Sequence, residues 1–242
     1  MAKKRTIIST HSFRGGTGKS NTTANLAVLV AKAGYRVGII DTDIQSPGIH
    51  VLFNVSEDSV TRTLNDYLWG KCKIHEAARD VTAAAIGDAD KDAERPRLFL
   101  IPSSMNSNEI AKILAEGYDV ARLNDGIQQL MDSQQLDLDF LFIDTHPGVN
   151  EETLLSIAVS NILLLIMRPD NQDFQGTAVT VELARQLEVP TMYMLLNKVP
   201  PGTDHAALRQ HVETLYKAPV AAILPLNSEI VRLASSSIFV NR

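Results

Sequence analysis

Cysteine is almost missing from this chain of 242 residues: Cys72 stands alone. No disulfide can form within the chain, and no CxxC-type metal or cluster site can be built from it. Cys72 is expected on a surface helix, partly buried. Long apolar runs are lacking too. The longest, Ile162–Met167, is far short of the roughly 20 residues that a bilayer-spanning helix needs. Residues 1–5 are basic and lead straight into an apolar segment, without the apolar stretch of a signal peptide. The expected location is therefore the cytoplasm. Excess basic charge is also absent. Lys and Arg number 23 against 28 Asp and Glu, a net charge of −5, which gives no general attraction to nucleic acid or to an anionic membrane. Aromatic residues make up only 5%, and the group Tyr67, Trp69, Leu64 and Leu68 reads as packing.

What is present is a core-forming composition, 45% hydrophobic and 21% charged. There is no internal repeat and no low-complexity linker, so one domain over residues 1–242 is expected. Short apolar runs at 6–9, 37–40, 98–101, 140–143, 162–167, 192–196 and 220–224 read as strands. Helical periodicity separates them at 19–33, 151–159, 174–187, 206–216 and 228–234. Two further helix-dense stretches, 63–69 and 108–135, read as covering helices. Continuous apolar strands alternating with amphipathic helices specify an α/β fold with a mostly parallel sheet covered on both faces. The charged stretch 87–97 reads as an exposed loop.

The segment Phe13-Arg14-Gly15-Gly16-Thr17-Gly18-Lys19-Ser20 follows the first strand and opens the first helix. In that context it reads as a phosphate-binding loop. Glycines let the backbone curl until several N–H groups converge on phosphate oxygens. The helix start adds its positive dipole end. Lys19 brings a mobile charge to the β- and γ-phosphates, and Ser20 offers a hydroxyl to Mg²⁺. The strict GxxxxGK[ST] pattern would need glycine where Phe13 stands. Further on, strands end in carboxylates: Asp41 and Asp43 after residues 37–40, and Asp144 after residues 140–143.

The box Arg14-Gly15-Gly16-Thr17-Gly18-Lys19-Ser20 resembles the deviant Walker A box of the MinD/ParA family of ATPases, and residues 22–27 resemble that family's first helix. The resemblance runs from Ile7 to about Phe239. It implies a P-loop NTPase fold that binds ATP or ADP with Mg²⁺ on Gly15, Gly16, Thr17, Gly18, Lys19, Ser20 and Asn21. It makes Asp43, the second carboxylate of Asp-x-Asp, the residue that activates the attacking water, with Lys19 and Arg14 acting on the phosphates. Ser20, Asp43 and Asp144 would form the metal shell, and Asp41 stays open between a structural and a metal-shell role. Gly148 would give its N–H to the γ-phosphate, Asn197 would read the adenine edge, and the strand end at Pro225 would meet the base through its backbone. Two positions depart from the family. Arg14 stands where a lysine reaches across a dimer to the partner's nucleotide, and the planar fork of arginine makes that exchange non-conservative. Asn21 stands where threonine is usual. His146, beside Asp144, is a further oddity.

The implied function is an ATP-hydrolysing switch that forms an ATP-dependent homodimer and positions or partitions a cargo through an activating partner protein. DNA or a membrane surface stays open as a further partner. From Val181 onward, however, six Lys and Arg face five Asp and Glu, and no terminal basic amphipathic helix is visible. The alternative is a metabolic ATP-dependent ligase of the dethiobiotin synthetase or amidotransferase type. A nitrogenase iron-protein role is disfavoured, because one cysteine per subunit gives a symmetric dimer half the thiolates a cubane cluster takes.

Overall fold

The computed structural model describes residues 5–86 and 98–241; the charged stretch 87–97 lies outside the described residues. Eight strands are described: β1 (Thr6–His11), β2 (Val37–Asp41), β3 (Arg79–Asp80), β4 (Leu98–Ile101), β5 (Phe140–Asp144), β6 (Ile162–Met167), β7 (Thr191–Val199) and β8 (Val220–Pro225). They form one sheet in the order β3-β4-β2-β5-β1-β6-β7-β8. All neighbouring pairs are parallel except β3 with β4. That two-residue antiparallel edge carries no apolar run and has no counterpart in the sequence reading.

The main helices are α1 (Lys19–Lys32), α2 (Ile49–Leu52), α3 (Leu64–Leu68), α4 (Thr82–Ile86), α5 (Ser107–Glu116), α6 (Val120–Asp132), α7 (Glu151–Ala158), α8 (Asn171–Gln186), α9 (His205–Tyr216) and α10 (Ser228–Leu233). No helix among the described residues is long and apolar enough to cross a membrane. The stretch read as helix-dense at 108–135 is two helices. Gly117, at φ 69°, ends α5, and Asp119 caps α6. Cys72 is half-buried as expected but lies in the turn after α3, not on a helix.

Strand side chains alternate between two cores, as a sheet covered on both faces requires. Ile40, Ile101, Leu141 and Ile143 pack with Leu64, Ile113, Leu123 and Ile127 on one face. Val37, Ile39, Leu98, Leu100 and Phe142 pack on the other face with Ala24, Ala27, Val28 and Ala31 of α1. The alanines let α1 lie close to the sheet. A third cluster joins β6 and β7 to α8 and α9 through Leu163, Leu165, Val181 and Val212.

The register fixes where chemistry can occur. Thr10 is paired with Asp144, and Asp144 with Asp41. Three adjacent central strands, β2, β5 and β1, therefore end level, each delivering polar side chains at its C-terminal end. From β1 the chain passes through α1 to β2, beyond β5. From β5 it passes through α7 to β6, on the other side of β1. Such a switch point opens a crevice at the C-terminal ends of the strands.

Candidate nucleotide site

The loop between β1 and α1 occupies that crevice. Gly16 and Gly18 adopt φ values of 76° and 94°, where an L side chain is strained. At Gly18 a Cβ would also stand 2.4 Å from Asn197 Nδ2. Gly18 is the N-cap of α1 and brings no side-chain cap. The other described helices of eight residues or more all have one, from Asn106, Asp119, Asn150, Asp170 and Asp204. Gly18 thus offers no side-chain acceptor to the first N–H groups of α1, and an anion would suit them and the helix dipole.

Lys19 enters the floor of the crevice. Its Nζ donates to Asp144 Oδ1 at 2.6 Å, and both side chains are buried, at 6% and 1% exposure. Thr23, one turn along α1, donates to the same oxygen at 3.3 Å and sits 2.5 Å from Thr10 Oγ1. Asp144 Oδ2 and Asp41 Oδ2 are buried and accept no hydrogen bond among the described residues. Two buried carboxylate oxygens with unused lone pairs are hard-oxygen donors that suit Mg²⁺, and the half-buried Ser20 follows Lys19 on α1. Burial, and after it the neighbouring Asp144, pushes the Asp41 carboxyl well above its usual range. Burial also raises Asp43, against the opposing pull of Lys19 and His146.

Asp43 lies just beyond β2. Its Oδ1 accepts from Ser46 N at 3.2 Å and its own N–H donates to Asp41 Oδ1 at 3.0 Å. These bonds fix the carboxylate at the crevice wall, 12% exposed. His146 Nε2 stands 3.9 Å from Asp43 Oδ1, and His146 Nδ1 lies 2.6 Å from the Pro147 carbonyl. The N–H of Gly148, expected to meet phosphate, donates here to the Ser12 carbonyl at 3.2 Å. This bond ties the segment after β5 to the start of the phosphate loop.

Asn197 and Lys198 brace the loop from β7. Asn197 Nδ2 donates to Thr17 O at 2.8 Å, and Lys198 Nζ donates to Gly16 O at 2.7 Å. The Asn197 amide thus joins the expected base-binding strand to the phosphate loop. Asn21 Nδ2 donates to Ser235 Oγ at 3.2 Å, which attaches α1 to the segment after α10. Pro225 is the last residue of β8, paired with Val199 and exposed. Arg14 lies at the outer lip of the loop, and its Nη1 is 3.6 Å from Asp170 Oδ1 and 3.6 Å from Asp173 Oδ1.

His11, Thr10 and Thr23 also belong to the site and leave little sign in the sequence. His11, fully buried, pairs through Nδ1 with Thr145 Oγ1 at 2.7 Å. Burial, then the nearby Lys19 and His146, hold its pKa down to about 3, so it is neutral. Thr10 and Thr23 form the second link. The available signal is the polar run Ser9-Thr10-His11-Ser12 that follows Ile7 and Ile8 at the end of β1.

Residues 8–238 match the family model described as the CobQ/CobB/MinD/ParA nucleotide binding domain. The chain is 30% identical over 233 residues to an ATP-binding protein of Methanocaldococcus jannaschii, covering 95% of this chain and 77% of that protein. It is 26% identical over 233 residues to a septum site-determining protein MinD of Chlorella vulgaris, covering 94% and 74%. Among solved structures, the septum site-determining protein MinD of Pyrococcus horikoshii, complexed with Mg-ADP, superimposes with a TM-score of 0.74 at 21% identity, over 96% of this chain and 85% of that one.

Proposed function

Since the chain belongs to the CobQ/CobB/MinD/ParA nucleotide-binding family, we propose that it is an ATP-hydrolysing switch that dimerises with ATP and positions or partitions a cargo through an activating partner protein. The observation that carries this reading is the Lys19–Asp144 pair beneath the uncapped N-terminus of α1, with Asp43 on the adjoining strand end. Gly15, Gly16, Thr17, Gly18, Ser20 and Asn21 would surround the phosphates. Ser20, Asp43 and Asp144 would hold Mg²⁺, with the free oxygen of Asp41, paired to Asp144 across the sheet, as a further donor; the ion's charge would offset that of the phosphate oxygens. Lys19 would turn from Asp144 to the β- and γ-phosphates, and the fixed carboxylate of Asp43 would orient the attacking water. Asn197 and the Pro225 strand end would border adenine, and Gly148 would reach phosphate on giving up Ser12. Arg14 would serve the nucleotide of a second subunit.

The test is phosphate release from Mg-ATP together with calorimetric ATP binding. Asp43→Ala should abolish release and leave ATP binding intact. If Asp43→Ala releases phosphate at the parent rate, Asp43 does not serve the water.

The second reading is a carboxylate-activating ligase. It draws on a cavity of about 160 Å³ directly after Asp43, lined by Ile44, Gln45, Ile113, Tyr118 and Glu152 among others. ATP turnover that depends on an added carboxylate would favour it.

A further inference from the structure

Phe13 and Arg14 are the positions at which the loop leaves the strict phosphate-loop pattern and the family's box, and both lie on α8. A Cβ on Gly176 would overlap the Phe13 ring, 1.9 Å from Cδ1, so the absence of a side chain there is what seats Phe13. Arg14 follows, with Nη1 3.6 Å from one oxygen each of Asp170 and Asp173. Those carboxylates are held in place without Arg14. Asp170 is the N-cap of α8 and accepts from Gln172 N and Asp173 N. Asp173 is 2% exposed and accepts from Arg168 N at 2.9 Å and Arg168 Nε at 3.1 Å. Arg168 Nη2 also reaches Asp170 Oδ2 at 3.2 Å. One arginine thus faces two carboxylates, one of them buried. Arg14 brings the second positive charge that makes the group neutral, and a buried carboxylate makes that charge worth holding.

We infer that Asp170 and Asp173 form a latch that holds Arg14 within its own subunit, in competition with any reach of Arg14 toward the nucleotide of a second copy. The inference deepens the dimer reading and rests on it for its consequence, but the latch itself is a property of the single subunit. Arg14 cannot satisfy both sites. Release from the quartet is then a step that ATP-driven association must include, and the two aspartates are positioning residues for Arg14.

Asp170→Asn separates the latch from the cap, since asparagine caps a helix as well as aspartate does. The first measurement is the rate at which phenylglyoxal modifies Arg14 without nucleotide, followed by peptide mass spectrometry. The latch predicts a rise of about two- to five-fold in Asp170→Asn, the size of effect that a partly exposed ion pair carries. An unchanged rate overturns it. The second measurement is the ATP-dependent dimer dissociation constant in an Asp43→Ala background. The latch predicts tighter association by about the same factor with Asp170→Asn, and no such gain once Arg14→Ala is added. Weaker association, or a gain that survives Arg14→Ala, overturns it. A background that stays monomeric with ATP defeats the dimer reading, and Arg14 labelling still decides the latch.

Discussion

Gly176 offers a quantitative test of how the phosphate loop is seated. It lies inside α8, and a Cβ there would be 1.9 Å from Phe13 Cδ1 and 2.5 Å from both Cε1 and Cγ. No contact of that length survives, so in Gly176→Ala either the Phe13 ring leaves or α8 shifts. Overpacking of this kind costs about 1–3 kcal/mol. Alanine in a helix interior returns about 1 kcal/mol through its better helix propensity. The net expectation is a loss of up to about 2 kcal/mol. With Phe13→Ala already in place the clash has no partner, and Gly176→Ala should stabilise by about 0.5–1 kcal/mol. The substitution therefore changes sign with the background, and the coupling should be about 1–3 kcal/mol. Urea unfolding of the four proteins measures it, read from midpoints at constant slope. ADP binding should weaken in Gly176→Ala alone, because displacing Phe13 moves Arg14 and the loop behind it. The same sign in both backgrounds, or a coupling below about 0.5 kcal/mol, would refute the proposed seating of Phe13.

Other expectations concern the buried charges. Lys19→Met leaves Asp144 buried beside Asp41 without its ammonium partner, which should cost about 3–5 kcal/mol in urea unfolding. Adding Asp144→Asn should recover most of that stability while nucleotide binding, followed by calorimetry, stays lost; if stability is not recovered, the pair is not what the floor of the crevice depends on. His11, held at about 3 when folded and near 6.5 when unfolded, makes the unfolded chain take up a proton below pH 6.5 that the folded chain refuses. Its contribution to stability should therefore fall as pH drops from 6.5 toward 3, by up to about 1.4 kcal/mol per pH unit. Asp41 and Asp43, whose carboxyls are raised, act in the opposite sense, losing stability as pH rises above the usual carboxylate range. The difference between the parent and His11→Gln isolates the histidine, and parallel stability curves from pH 4 to 7 would contradict its burial in the neutral form.

The sequence carried the parts of this account that depend on neighbouring residues. Apolar runs such as 162–167 and 37–40 became buried strands because a sheet covered on both faces leaves no polar side to alternate with. The glycines before Lys19 were readable as a loop because positive φ is cheap only for glycine. The family was legible from Arg14 to Ser20 together with the carboxylates that end β2 and β5. What could not be read joins distant segments. Nothing near Arg14 announces Asp170 and Asp173, and nothing near His11 announces Thr145. Such pairs are created by strand order, here β1 lying between β5 and β6. The break at Gly117 leaves no mark on the pattern because the helical periodicity resumes on its far side. The edge strand β3 left no trace, since two residues paired to one neighbour need no apolar pattern. The amide of Asn197 shows the same limit. Its residue type suits a base edge, but only the fold reveals that it also spans from β7 to the carbonyl of Thr17.

The most direct test of the central claim is the molar mass of Asp43→Ala by light scattering, without nucleotide, with ADP, and with ATP plus Mg²⁺. A switch of the proposed kind is a monomer in the first two conditions and a dimer in the third. A monomer in all three at micromolar concentration contradicts it and turns attention to the carboxylate-activating alternative.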